Sequence, residues 1–572
     1  MDRAGVNRPP FRGPGEIAGM LKDLRFALRQ LGRTPAFTAV AILTLALGIG
    51  ANSAIFSVMN ALLLRYLPAH DPSRLVYLHT TGQPSGGSQT GHGDTSLTMP
   101  VFEQMRKQKD AFSDAVAYVP LAIGKVAVRY GKEPQEAAAQ MVSGNFFTTL
   151  GVLPSRGRTF RIEDEAAHSP VAVLSYSWWT RQFGRDNAVL GQSLYIKDVP
   201  FTIIGVASPE FIGLDQDAAD VWIPFQDRPE LRPWGRTRGG ALYGSPNWWF
   251  LMVMGRLAPG ITEQQALARA TPAFQTAAYS ALGPPKEKEQ LPKLFFTSAK
   301  GLAGARDSYD EPLKVLMGMV LLVLAIACAN VSLLLVARNT ARQREFSLRM
   351  ALGGSRFNLF QQLLTESLIL VIAGAGLGWV FANWATRALA AWSQMTVSLA
   401  PDTSVVLFTL AVSLTAALVF GLAPLRSVLK IPIGLALKTS AATAHRDRSR
   451  NRGTQMVVAL QMSLCLVLLV AAGLLVRTLG NLESISLGMN TRGLLVFGIN
   501  PLQRVHSDSE SNRFFFGLLT KLRTMPGVEA VTLMSNRIGS GWSNNTGARV
   551  DGQPPFGADK FAPMRWNIIG SD

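Results

Sequence analysis

One apolar run, a long polar block, three more apolar runs and then a fifth: this order constrains the chain more than any other feature. The runs are Ala36–Leu64, Leu313–Ala337, Ser367–Ala391, Val405–Leu425 and Met456–Val476. Each offers roughly 20 or more mainly apolar residues, enough to cross a hydrocarbon core about 30 Å thick. Within lipid only a helix among single segments satisfies its own backbone polar groups, so each run reads as a transmembrane helix. The fold expected is an α-helical bundle of five spans with a large α/β extracytoplasmic domain inserted between spans one and two. A folded block strung between two helices is not the plan of a channel. It is the plan of a device that works on one side of a membrane and is driven from the other.

Charge supports this topology independently. The net charge of +18 raises the question of nucleic acid, but its distribution answers it. The block Arg65–Pro312 holds 25 basic and 24 acidic residues. The excess lies in Met1–Pro35 (7 basic, 3 acidic), Arg338–Leu364 (5 and 1) and Leu425–Thr454 (7 and 1). Short basic segments stay in the cytoplasm, and alternating spans with the N-terminus inside place all three there. No nucleic-acid partner is expected, because that footprint needs a basic face on a folded domain. The division expected is 1–35 as a cytoplasmic segment, 36–64 as the first span and 65–312 as the extracytoplasmic domain. Residues 313–425 form spans two to four with a cytoplasmic loop at 338–364, residues 426–454 a basic linker, 455–477 the fifth span and 478–572 a second, partial extracytoplasmic domain.

Local signals fill in this outline. Residues 1–19 are rich in Gly, Pro and Arg and read as disordered. Met20–Arg33 places Leu21, Leu24, Ala27, Leu28 and Leu31 on one helical face and most of its basic residues on the other, which suits an amphipathic helix lying on the inner leaflet. Thr34-Pro35 breaks it. The leader is too long and the apolar run too extended for a cleaved signal peptide, despite Ala51-Asn52-Ser53. In the outer block, Val171–Leu174 and Tyr195–Val206 read as strands, the latter turning at Lys197-Asp198. Trp248–Gly255 reads as one buried strand, and Ser177–Phe183 and Thr262–Leu282 as helices. Two clusters of strands and helices suggest two subdomains, and Gly82–Gly93 a mobile loop. Trp178-Trp179 and Trp248-Trp249 read as core residues rather than a ligand groove. Cys328 and Cys465 fall inside spans and read as small packing residues.

Small residues four apart mark close helix packing: Gly50 and Ala54, Ala325 and Ala329, and the GxxxG pair Gly374 and Gly378. Asn52, Asn60 and Asn330 read as interhelical hydrogen bonders rather than a substrate path. No Asp, Glu, Lys or Arg lies in the middle of a span, which argues against an ion-coupled transporter. His79, His92 and Asp94 lack the tight spacing of a zinc motif, so no metal site is expected. There is no phosphate-binding G-x-x-x-x-G-K-[ST] loop and no nucleophile elbow, so the chain is not expected to be an enzyme. Between spans two and three, Arg342, Arg344, Glu345, Arg349 and Arg356 give a charged surface. Phe346, Leu348, Met350 and Leu352 give apolar contacts of the kind that fill a groove on a partner protein.

The stretch REFSLRMALGG (Arg344–Gly354), followed by Glu366 and the glycines Gly374 to Gly378, resembles the signature of MacB/FtsX-like ABC transporter permeases. So does LTLALGIGANSAIFSVMNALLL from Leu43 to Leu64. Gly144–Phe160, Val171–Gly184, Phe201–Leu214 and Gly255–Ala268 are similar to the MacB-type periplasmic core domain. The nearest likeness is to duplicated permeases, in which one chain repeats the whole unit. The fifth span would then open a second copy, with Gly527–Val531 in its outer domain, and the stop at Asp572 would mark a truncated second copy. The resemblance implies a bacterial inner-membrane protein with a cytoplasmic N-terminus. It implies no directly bound cofactor, ATP acting through a separate cytoplasmic ABC ATPase, contact with membrane lipid and a periplasmic or outer-membrane partner. Arg344, Glu345, Phe346, Arg349, Leu352 and Gly354 become the coupling residues. The implied function is the permease subunit of an exporter of macrolides, antimicrobial peptides or lipoproteins. The alternatives are a non-transporting regulator of an extracytoplasmic enzyme such as a cell-wall hydrolase, and a membrane-anchored binding protein without ATP coupling.

Overall fold

Five long helices occupy the places of the five apolar runs: Pro35–Met59, Ala305–Ala341, Arg356–Ser393, Thr403–Leu429 and Asp447–Glu483. The computed structural model describes residues 25–82, 88–89, 96–122, 124–131, 133–215, 218–225, 231, 247–280, 291–302, 305–351, 356–393, 399–429, 447–484, 493–499, 508–535, 544–548, 562–567 and 569. These residues fall into two units, one of helices and one built on a sheet. Among the described residues four helical stretches are long and apolar enough to cross a membrane: Pro35–Leu64, Tyr309–Ala341, Leu359–Trp392 and Val458–Leu482. In the remaining helix, the fourth span, the described apolar stretch is Thr403–Leu418. The lead-in helix expected before Pro35 is present over 25–32, with Ala27 and Leu31 buried. Residues 1–24 lie outside the described set.

The first span is the centre of the helical unit, and its contacts set the direction of its neighbours. Asn52 Nδ2 donates to the Val320 carbonyl of the second span at 2.8 Å, and Gly48 lies against Leu324. Residue numbers rise on one helix as they fall on the other, so the two are antiparallel. Gly374 faces Leu45 and Gly378 faces Gly50, so the third span runs parallel to the first. In the fourth span, Thr409 exchanges a 2.8 Å hydrogen bond with Ser53 and Phe408 stacks on Phe56, ring centroids 4.0 Å apart. Asn60 donates to Asp402 at 2.8 Å near the helix start, so this span runs antiparallel. Four successive helices therefore alternate up and down around one central helix.

Glycine makes that centre possible. A methyl group built on Gly50 would lie 2.7 Å from the Gly378 carbonyl oxygen and 2.8 Å from the Phe381 ring. One on Gly378 would lie 2.9 Å from the Ala46 carbonyl oxygen, and one on Gly374 2.7 Å from Leu45 Cβ. In lipid, helices associate through close packing and polar contacts rather than through the hydrophobic effect, so small residues are placed where backbones meet. The glycines picked out by spacing are thus the contact itself, and Ala54 beside them is half-buried. The alanine pair of the second span is not: Ala325 is exposed and Ala329 half-buried. That helix buries Leu324, Cys328, Val331 and Leu335. Spacing of four marks a stripe without saying which stripe meets a neighbour.

In the second unit, twelve strands form one mixed sheet. Its order is Leu294–Ser298, Leu75–Thr80, Met252–Leu257, Phe112–Pro120, Ala139–Val142, Val221–Pro224, Val171–Leu174, Val199–Ala207, Ser193–Ile196, Val126–Tyr130 and Glu133–Ala137. Pro154–Gly157 pairs with Val199–Ala207 off this path. The two subdomains expected from the sequence are therefore a single sheet. Ala139–Val142 joins the halves, pairing antiparallel with Phe112–Pro120 and parallel with Val221–Pro224. All four of its residues are buried, and a buried strand edge left unpaired would strand backbone N–H and C=O groups without partners. The turn at Lys197-Asp198 is as expected, both residues having positive φ. The expected strand Trp248–Gly255 is instead two pieces, Trp248–Trp249 and Met252–Leu257. The first pairs with Ser88–Gln89 of the Gly82–Gly93 segment. Residues 83–87 and 90–95 lie outside the described set. The predicted helices appear at Tyr176–Phe183 and Glu263–Ala278, each started by a hydroxyl cap, Ser175 and Thr262. Trp178, Trp179 and Trp249 are core residues.

Two carboxylates stitch the sheet unit, Asp114 half-buried and Asp164 buried. Asp114 accepts from Thr149 Oγ1 (2.6 Å), Asn145 Nδ2 (2.8 Å) and the Ala115 amide (3.0 Å). Asp164 accepts from both Nη atoms of Arg158, at 2.7 and 3.0 Å, and from the Arg161 amide. Burial acts to raise both pKa values, but these donors outweigh it and hold both carboxyls below the ordinary range. A carboxyl depressed in the folded state stabilises the fold above its unfolded value, about 3.9. That stabilisation is lost as the pH falls through the folded value. The melting temperature of the purified chain should accordingly drop on acidification below about pH 4. Asp114→Asn should lower it at neutral pH and reduce the acid-dependent part of the drop. A melting temperature indifferent to acid in both proteins contradicts this account. In the helical unit, Gly378→Val should destabilise the bundle by about 1–3 kcal/mol, the usual scale of overpacking. Gly376→Ala, with open space around it, should leave the detergent melting curve unchanged.

Candidate coupling site

At the Pro35 end of the bundle the second span finishes at Ala341 and a short helix, Gln343–Ala351, follows directly. The Phe346 amide still donates to the Arg342 carbonyl across the joint. The third-span helix begins at Arg356. Phe346 is buried against Leu359 and Leu363 of that helix, so the short helix is held by an apolar plug as well as by charge.

The charges form one chain of contacts. Arg342 bonds Glu345 through Nε at 3.1 Å and reaches Glu366 through Nη1 at 3.5 Å. Arg349 bonds Glu345 through Nη2, and donates from Nη1 to Gln362 Oε1 at 3.0 Å. Gln362 Nε2 donates to Glu366 at 3.3 Å, closing the network. The Arg342 and Glu366 side chains are only 11% and 3% exposed. The Glu345 carboxyl feels a burial that acts to raise its pKa, but Arg342 and Arg349 hold it below the ordinary carboxylate range. The lead-in helix joins at two points. Arg338 donates from Nη2 to the Gln30 carbonyl at 3.1 Å and lies over the Phe37 ring, and Arg349 lies over Phe26.

Of the six residues assigned to coupling, the structure brings Glu345, Phe346 and Arg349 together. Arg344 is on the same helix, its side chain outside the described residues, as are Leu352 and Gly354. Phe346 faces inward, whereas Leu348, one turn-face away, is 58% exposed. The sequence reading left out Arg338 and Gln362 and gave Arg342 and Glu366 no joint role. One signal was available: Glu366 is the only carboxylate between Glu345 and Asp402. An isolated acid at the edge of an apolar run needs a buried cation. The arrangement fixes the short helix to the third span by charge and by an apolar plug.

The opposite end holds the other candidate part. The first span ends in a π-helical turn, Asn60–Leu64, of the kind that often marks functional positions in helices. The returning chain pairs with it: the Leu302 amide donates to Leu62 O, the Gly301 amide to Arg65 O and the Leu67 amide to Ala299 O, with Tyr66 bridging Lys300. Gly301 has φ +76°, and a side chain there would strike the Leu62 backbone. The segments leaving and re-entering the helical unit are therefore fastened as a short antiparallel ribbon. Asn330 of the second span accepts a hydrogen bond from Gln461 of the fifth, so Asn52, Asn60 and Asn330 all serve as interhelical bonders. His79 bonds Thr297 and stacks on Phe295, His92 and Asp94 lie outside the described residues, and no metal-binding cluster occurs among the described residues.

Two family models match the chain along this architecture: a MacB-like periplasmic core domain over residues 38–273 and an FtsX-like permease C-terminal region over residues 317–433. The chain carries both parts of a MacB/FtsX-like ABC transporter permease. It is thus a multi-pass membrane protein with a periplasmic domain, and neither matched region is an ATPase domain. Over 288 residues it is 23% identical to the macrolide export ATP-binding/permease protein MacB of Escherichia coli O157:H7, and equally so to that of Shigella flexneri. Those alignments cover 49% of this chain and 41% of each relative, so the chain matches less than half the length of these relatives. Among solved structures, the periplasmic region of MacB from Actinobacillus actinomycetemcomitans aligns at 13% identity over 46% of this chain and 97% of its own, with a TM-score of 0.30. A domain of a permease protein from Porphyromonas gingivalis aligns at 16% identity over 41% of this chain and 94% of its own, with a TM-score of 0.29.

Removing one partner of a buried ion pair leaves the other uncompensated, at a cost of about 3–5 kcal/mol. Glu366→Ala and Arg342→Ala should each destabilise this permease on that scale. The double variant should cost clearly less than the sum, read as a coupling energy in a double-mutant cycle of detergent unfolding. Strict additivity would show that the contact is not energetically real.

Proposed function

We propose that this permease is the membrane subunit of an ABC exporter, converting movement imposed by a cytoplasmic ATPase into movement of its periplasmic domain. The single observation that supports this is the partly buried Arg342–Glu366–Gln362–Arg349–Glu345 network. It fastens an outward-facing short helix to the third span, which is itself in glycine contact with the first span. The short helix is the input: Leu348 is the exposed apolar contact for the ATPase, and Arg344, Glu345, Phe346, Arg349, Leu352 and Gly354 form the docking and transmitting surface. Close-packed helices transmit displacement because packed interiors resist compression. The Asn60–Leu64 turn and the ribbon at Tyr66 and Lys300 are the output.

In this reading the N-terminus and the short helix are cytoplasmic, as the charge of Met1–Pro35 and Arg338–Leu364 favours. The chain binds no cofactor itself, and ATP acts through the separate subunit. The substrate class is an amphiphile of the macrolide, antimicrobial-peptide or lipoprotein kind, handed to a periplasmic or outer-membrane partner. The fifth span begins a second permease unit. Its most apolar window has no buried residue, and its described polar contact with the other spans is the Gln461–Asn330 bond, as for a helix whose own partners belong to a further copy.

The test is to purify the full-length chain in mild detergent with the ABC ATPase that accompanies it, then repeat with Leu348→Asp and with residues 344–354 deleted. Leu348→Asp should cut ATPase retention at least tenfold. The deletion should leave membrane insertion intact while abolishing the permease's effect on the ATP hydrolysis rate. A deletion variant with full ATP-dependent activity would refute the proposal.

A further inference from the structure

Beyond the glycine contact, the third span carries a face that no other described helix of its unit covers. Trp379, Val380, Asn383, Trp384, Arg387 and Ala388 recur at the spacing of one helical stripe, and with Pro401 they line an open cleft of about 780 Å³. Trp384 is 65% exposed. Trp392, one turn beyond Ala388 on the same stripe, is more exposed still. Tryptophans in such positions belong at the membrane–water boundary, where the ring sits at the level of the headgroups. The register agrees. Gly378 lies beside Gly50, and Arg387, nine residues on, is about 13 Å further along the axis. The first span runs parallel, so Arg387 is level with its end near Met59 and Asn60.

Arg387 makes no ion pair or hydrogen bond among the described residues. The acid nearest in sequence to the cleft, Asp402, is already engaged by Asn60 Nδ2 at 2.8 Å and the Val405 amide at 3.0 Å. Asn383 spends its Nδ2 on the Trp379 carbonyl. The cleft thus offers apolar and aromatic walls, with one guanidinium that has no partner among the described residues, level with the end of the first span. Guanidinium is the side chain best matched to phosphate oxygens, through paired N–H donors.

We propose that this cleft is a binding site for an anionic glycerophospholipid of the leaflet in which the first span ends, its phosphate on Arg387 and an acyl chain along Trp379, Val380 and Trp384. The site lies at the opposite end of the bundle from the coupling helix and stands whether or not the chain transports anything. Bound there, the lipid fills the mouth between the third span and the Pro401 lead-in to the fourth, and the occupant is set by membrane composition rather than by the ATPase.

The experiment titrates the purified full-length chain in detergent with phosphatidylglycerol carrying brominated acyl chains, following tryptophan quenching. Brominated phosphatidylcholine serves as the zwitterionic probe. Phosphatidylglycerol should quench saturably, and Arg387→Gln should weaken its apparent affinity about tenfold while changing phosphatidylcholine little. Arg387→Lys should restore most of the preference. Trp384→Phe should remove a discrete part of the quenching amplitude. Inorganic phosphate should not displace the lipid at millimolar concentration. Unchanged phosphatidylglycerol affinity in Arg387→Gln, in protein that elutes and melts like the parent, overturns the proposal. So does an equal effect on both lipids, or displacement by phosphate alone.

Discussion

Backbone contact between the first and third spans, glycine against glycine, is the constraint on which the helical unit rests. Lipid tails are as apolar as leucine side chains, so burying leucine gives two helices little reason to stay together. What remains is dispersion at short range and a few hydrogen bonds. Gly50, Gly374 and Gly378 allow the first at its closest approach, and Asn52, Ser53 and Asn60 supply the second to the second and fourth spans. The first span can be central only because it is lined with such residues.

The charged network at the Pro35 end obeys a different balance. A buried glutamate and a nearly buried arginine gain little net stability from each other, since desolvation offsets most of their attraction. Their consequence is specificity of position: Arg342, Glu345, Arg349, Gln362 and Glu366 bond one another in this registration of the short helix on the third span. Phe346, between Leu359 and Leu363, fixes the same registration by shape. Two independent requirements, one of charge and one of shape, are thus met by one geometry.

Much of the architecture was legible in the chain. Hydropathy gave the apolar runs, glycine spacing marked close-packing stripes without saying which helices meet, and the Lys197-Asp198 pair gave its hairpin, because each depends on residues near one another in sequence. The errors share a cause. The outer block was divided in two because Ala139–Val142 looks like any short apolar segment, and its double pairing is with strands distant in sequence. Ala325 and Ala329 had the right spacing on the wrong face. Glu366 was visible as a solitary acid, yet its pairing with Arg342 across 24 residues depends on how two helices turn back on each other.

The sequence by itself determined that this chain spans a membrane repeatedly, that a nearly neutral folded block interrupts the spans, and which short segments carry the basic charge. Those follow from the cost of placing polar groups in hydrocarbon, which each segment meets alone. Only the tertiary structure decided which helix is central, which stripe of each faces its neighbour, that one twelve-stranded sheet joins both halves of the outer block, and that Arg387 has no partner among the described residues beside two tryptophans. Those depend on contacts between residues far apart in the chain, and a contact is a property of two surfaces brought together.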